Sequence, residues 1–302
     1  MNSRSNESAM RGHHAHDDIE LPGLFHAADA ASRKAQKSYL ALSATRLVSL
    51  LAAATFGAIG TTLDSNPFAW AILGCFTLAA IAEILLITLQ PERDWYSGRA
   101  LAESIKTLAW RYSVGAEPFE PSLSSTAAAS LLRARITEVV SKGKDRLDLD
   151  PRPAAVTDSM KALRSSELEI QRATYVKFRT QDQKQWYSNK GSASARWARR
   201  WRYLLLAGEI TAVAAAGAAI GSEDPIDFAG LIAAIVASGA AWLVLKQYSQ
   251  LASAYRIAAV ELALQEDALR DVEAEDWSQA VANAEEAISR EHTMWLASRG
   301  VE

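Results

Sequence analysis

Two apolar hairpins, Leu47–Leu89 and Tyr203–Leu245, constrain this 302-residue chain more than any other feature, and neither hairpin loop contains Lys or Arg. The first hairpin pairs Leu47–Leu63 with Phe68–Leu89, and the second pairs Tyr203–Ile220 with Phe228–Leu245. A hydrocarbon core about 30 Å thick takes roughly 17–25 helical residues to cross, and all four stretches are long enough. The competing fold is a large soluble bundle with these helices buried. Soluble helices carry a polar stripe at a period of 3.6 residues, and these four show none. A mean hydropathy near zero hides the pattern because it averages four spans with long charged segments.

Positive charge sets the orientation, since Lys and Arg near the ends of spans stay cytoplasmic. Arg33, Lys34, Lys37 and Arg46 precede the first span, and Arg93 and Arg99 follow the second. Lys190, Arg196, Arg199, Arg200 and Arg202 precede the third, and Lys246 and Arg256 follow the fourth. The hairpin loops instead carry Asp64, and Glu223, Asp224 and Asp227. Both termini and the central segment are expected in the cytoplasm of a multi-pass bacterial inner-membrane protein. The first apolar stretch starts too late for a cleavable signal peptide.

Outside the spans the periodicity is helical. Leu101, Ile105, Leu108 and Tyr112 share one face before Pro118 and Pro121 break the helix. Leu131, Leu132, Ile136, Val139 and Val140 mark a second amphipathic helix. Residues 143–156, with the run LDLDPRPAA, read as a linker. Helix resumes near Thr157 and runs into the third span. Tyr248, Leu251, Tyr255, Ala258, Leu262, Leu269 and Val272 then fit a heptad seam. Asp276 is a plausible N-cap for a last helix carrying Trp277, Val281, Ala284, Ile288 and Trp295. The expected fold is all-α and integral to the membrane, with four transmembrane helices as two hairpins and long amphipathic cytoplasmic helices. It divides into a polar tail (1–25), a first two-helix unit (26–142), the linker, and a second two-helix unit (157–302) that repeats the first.

Particular residues carry a family resemblance. RDWYSGRALAESIKTLAWRYSVGAEPF (Arg93–Phe119) resembles the stretch after the membrane hairpin in the bacterial SLATT families. YVKFRTQDQKQWYSNKGSA (Tyr175–Ala193) is similar to their pre-hairpin helix, and YSQLASAYRIAAVEL (Tyr248–Leu262) and AEEAISREHTMW (Ala284–Trp295) to the helices after it. The resemblance implies a tandem pair of two-transmembrane effector domains from a bacterial conflict or antiphage system. It further implies an oligomeric pore or membrane-disrupting role, no enzymatic chemistry, and a nucleotide-sensing or nucleotide-synthesising partner protein.

Two acids stand inside the spans, Glu83 and Glu209. A charge at a helix centre costs on the order of 2.5–3.5 kcal/mol on insertion scales. Counted from the span ends, both lie roughly 10 Å inside the cytoplasmic boundary at 1.5 Å per residue. They read either as carboxylates lining a cation path in a homo-oligomer, or as snorkelling groups, or as partners for Arg46. Arg46, Trp95 and the run Arg196, Trp197, Arg199, Arg200, Trp201 and Arg202 read as interfacial anchors against the lipid bilayer. The net charge of −3 argues against a nucleic-acid binder. Gly217 with Gly221, and Ala53 with Gly57, have the small-xxx-small spacing of paired membrane helices.

Catalytic motifs are absent: the sequence holds no GxxxxGK[ST], no GxGxxG and no HExxH. Glu285 and Glu286 read as a solvated acidic face. His13, His14 and His16 beside Asp17 and Asp18 form a possible metal-binding tail, read instead as a solvated one, and Cys75 lies inside a span. No cofactor and no metal are expected. Two functions of different class fit: a regulated pore, or a membrane-tethered scaffold whose cytoplasmic helices recruit a partner.

Overall fold

A computed structural model describes residues 19–63, 66–142, 154–220 and 227–297. The polar tail up to residue 18, most of the expected linker, and Asp64, Gly221, Glu223 and Asp224 lie outside the described residues. The described chain is all-α, with no strand. In order it forms α1 (Gly23–Leu63), α2 (Asn66–Leu89), α3 (Pro91–Ser113), α4 (Ser125–Lys142), α5 (Asp158–Arg164) and α6 (Leu168–Tyr175). A π-helical stretch, Val176–Gln181, follows, then α7 (Asp182–Ala219), α8 (Phe228–Lys246), α9 (Tyr248–Asp271) and α10 (Trp277–Ala297).

Four helical stretches are long and apolar enough to cross a membrane. Their side chains point outward rather than into a core. No residue of α8 is buried, and Trp70, Val213 and Val244 are more than 70% exposed. In water that much exposed apolar surface would drive aggregation; in lipid it is the expected face of a span. The protein is therefore an all-α, multi-pass membrane protein.

Residues 34–92 and 188–256 form one compact unit containing both hairpins. Within it small residues set the helix contacts. A Cβ on Gly60 would sit 3.1 Å from Cβ of Phe68, and Phe56 packs on Phe68 with ring centroids 6.3 Å apart. In the second hairpin a Cβ on Gly208 would come 2.6 Å from Cγ2 of Val236, so only glycine allows that approach. A Cβ on Gly239 would come 3.1 Å from Leu205 and 3.3 Å from Trp201, a tight approach. The expected small-residue pairs do not supply these contacts: Gly57 and Gly217 face open space, although Ala53 is buried. Both hairpins end on a glutamine in the left-handed region, Gln90 at φ 45° and Gln247 at φ 47°. Each donates its N–H to the carbonyl four residues earlier, as an αL cap does. Asp227 caps the start of α8 by accepting from the Gly230 N–H at 2.8 Å.

The other described residues, up to 33, 93–187 and beyond 256, form a second unit with a conventional core. The predicted faces supply it: Leu101, Ile105 and Tyr112 on α3, Leu132 and Ile136 on α4, Ala258, Leu262 and Leu269 on α9, and Trp277, Val281, Ala284 and Ile288 on α10. Trp110, Tyr175 and Trp277 stack edge to face in sequence, with centroids 5.8 and 6.0 Å apart. The Trp277 indole donates to the Val114 carbonyl at 3.1 Å, where α3 has already ended. Arg164 gathers the loop after α3 by donating to the carbonyls of Tyr112, Phe119, Glu120 and Leu123.

Candidate functional site

The two intramembrane acids have different surroundings. Glu83 on α2 accepts from the Arg46 guanidinium on α1, and both side chains are roughly 40% exposed. An arginine one helix away thus balances the charge that the span must carry. Glu209 on α7 is exposed and has no hydrogen-bonding or ion-pairing partner among the described residues. Glu209 is exposed, as are Leu206 and Val213 near it on the same helix.

The expected anchors also separate. Arg196, Arg199, Arg200 and Arg202 are exposed on α7. Trp197 stacks on Tyr248, with centroids 6.3 Å apart and planes at 20°, and the Arg200 guanidinium lies 5.3 Å from the Trp197 centroid. Trp201 turns inward against Gly239. Trp95 belongs to the extramembrane unit, where it stacks on Tyr96 at 4.8 Å and its carbonyl accepts from Ser32.

Comparison with known families finds a one-hairpin domain twice. Residues 22–172 match SMODS and SLOG-associating 2TM effector domain 3, and residues 175–295 match SMODS and SLOG-associating 2TM effector domain 1. The chain belongs to the SLATT membrane effectors. This SLATT protein carries the two domains in tandem, and their seam falls at residues 173–174, next to the π-helical stretch. No curated protein and no solved structure matches it.

The extramembrane unit of this SLATT protein holds a polar centre that the sequence reading missed. Glu285 is not on a solvated face: it is fully buried, while Glu286 is exposed. The spacing contained the signal, because Glu285 falls four residues after Val281 and three before Ile288, on the buried stripe of α10. Its Oε1 accepts from Arg179 Nε at 2.7 Å and Tyr175 Oη at 2.9 Å. Its Oε2 accepts from Arg179 Nη2 at 2.6 Å and Thr107 Oγ1 at 2.8 Å. Burial pulls the Arg179 guanidinium down, but Glu285 outweighs it and the net shift is upward. Burial and Glu285 push the Tyr175 phenol well above its ordinary range, so it stays a donor. Arg111 adds a hydrogen bond to the Ala282 carbonyl at 2.7 Å.

A second charged cluster centres on Glu266, which accepts from Lys184, Gln181 and Arg270. Burial raises its carboxyl, yet these three donors outweigh it and hold the group at about 2. A neighbouring groove is lined by Glu169, Arg172, Lys177, Gln181 and Arg270. Its arginines are already committed, Arg172 to the carbonyls of Arg270 and Val272, and Arg270 to Glu266. Among the described residues no group of His, Cys, Asp and Glu could hold a metal ion.

Proposed function

We propose that this SLATT protein permeabilises the bacterial inner membrane as a regulated oligomeric pore in an antiphage or conflict system. Both termini and the segment between the hairpins face the cytoplasm in this reading, as the positive flanks of both hairpins favour. The observation that carries the pore is Glu209. A carboxyl facing lipid without a partner is costly, about 2.5–3.5 kcal/mol at a helix centre on insertion scales. Glu83 avoids that cost through Arg46, whereas Glu209 has no such partner in the described chain. A water-lined path between copies would solvate Glu209 and give it a role in choosing cations. The effector then acts by opening a path rather than by catalysis. The family's association with SMODS and SLOG domains supports a partner that makes or senses a nucleotide signal.

The test is ion flux through the purified protein in liposomes. Wild-type protein should pass cations in preference to anions, and Glu209→Gln should remove most of that preference. Glu83→Gln should change it less, because Arg46 already balances Glu83. A wild-type protein that conducts nothing, or a Glu209→Gln protein of unchanged selectivity, sinks this pore.

The scaffold reading has one observation of its own. Ile257, Val260 and Leu264 are exposed at helical spacing on α9, beyond the span, a surface suited to recruiting a partner. Full function of the extramembrane helices on an unrelated membrane anchor would favour it.

A further inference from the structure

The second hairpin carries a stripe shaped like a phospholipid. Arg196, Arg199, Arg200 and Tyr203 follow one another at steps of three, one and three on α7, which places them on one face. All four are exposed. The opposite face meets α8 through Trp201, Leu205 and Gly208. Further along the membrane segment the outward stripe becomes apolar, with Tyr203, Leu206 and Ile210 between 49% and 67% exposed. Cations at the span entrance therefore run into a hydrocarbon track on the same helix face.

Among the described residues none of Arg196, Arg199 and Arg200 forms an ion pair, and the contact made by Arg200 is with the Trp197 ring. Elsewhere the chain neutralises such groups, pairing Arg33 with Asp29, Arg46 with Glu83 and Arg99 with Glu103. The positions from 196 to 200 rise by only about 6 Å along the helix, so three cations converge where a span enters the headgroup layer. The stacked Trp197 and Tyr248 rings flank them, as aromatic residues do at that depth. A zwitterionic headgroup carries its own cation and would leave this charge unbalanced. An anionic one brings a net negative charge to set against it.

We propose that Arg196, Arg199 and Arg200 hold the phosphate headgroup of an anionic glycerophospholipid, with its acyl chains along Tyr203, Leu206 and Ile210. Glu209 lies about a quarter turn from Ile210 but only three residues from Leu206, so it borders the lipid track rather than lying within it. The lipid site stands whether the spans conduct or only anchor.

The experiment measures lipid retained by the purified full chain in mixed micelles, by native mass spectrometry, with phosphatidylglycerol and phosphatidylcholine in competition. Each arginine near an anionic headgroup is worth on the order of fivefold in binding, so wild-type protein should strongly prefer phosphatidylglycerol. The Arg196→Gln, Arg199→Gln, Arg200→Gln triple variant should lose that preference. The matching triple lysine variant should keep most of it, and Arg133→Gln, on α4 in the other unit, should not change it. In wild-type protein the preference should fall as salt is raised, because headgroup attraction is screened. An absent preference, one that survives the glutamine triple or high salt, or its loss in the lysine triple would each overturn the proposal. Displacement of the lipid by soluble glycerol phosphate would also overturn it, by assigning the stripe to free phosphate esters.

Discussion

Arg179 and Glu285, 106 residues apart in the chain, meet as a two-pronged ion pair with almost no exposed surface on either side chain. Arg179 sits in the π-helical stretch beside the seam between the two SLATT domains. Removing one member of such a pair strands a buried charge, whereas replacing both with apolar groups can cost little. Glu285→Ala should therefore destabilise the protein by about 3–5 kcal/mol, and Arg179→Met by a similar amount. The Arg179→Met, Glu285→Leu double variant should recover much of that loss. Thermal unfolding of the purified protein in detergent checks it, and a double variant as unstable as the sum of the singles would show that the pair is not coupled.

The Arg46–Glu83 pair gives a membrane counterpart. Arg46→Leu leaves Glu83 without its cation inside the first hairpin. That variant should insert poorly, or lose about 2 kcal/mol or more of stability. Adding Glu83→Leu should restore both yield and thermal stability. Equal yields for wild type and Arg46→Leu would count against the pairing.

Glu266 predicts an acid limit for the extramembrane unit. Its folded value of about 2 lies below the ordinary 4.5. A depressed carboxyl contributes stability that is complete above the unfolded value and is lost as pH falls through the folded one. Melting temperature should thus drop between about pH 4.5 and 2, and Glu266→Gln should lower it at neutral pH while flattening that acid slope. Parallel curves for the two proteins would remove Glu266 from the effect.

Spans were legible in the sequence because lipid imposes a length and a composition on every residue of a crossing helix. The faces of α3, α4, α9 and α10 were legible because a helix repeats locally. Glu285 was not, even though it lay in phase with Val281 and Ile288. What buries it is Arg179, Tyr175 and Thr107, all far away in the chain, and periodicity carries no news of distant partners. The π-helical turn left no compositional trace either. Glu83 and Glu209 looked alike in sequence, and only the position of Arg46 across the hairpin separated them.

The polar centre on Glu285 also bears on how such a chain can change over generations. Thr107 belongs to the first domain match, and Tyr175, Arg179 and Glu285 to the second. Tandem domains usually leave each other free to diverge or to be lost. Here one carboxylate takes donors from both domains, so a substitution in either changes what the other can tolerate. Each domain completes the other's interior, and deleting one would remove part of it.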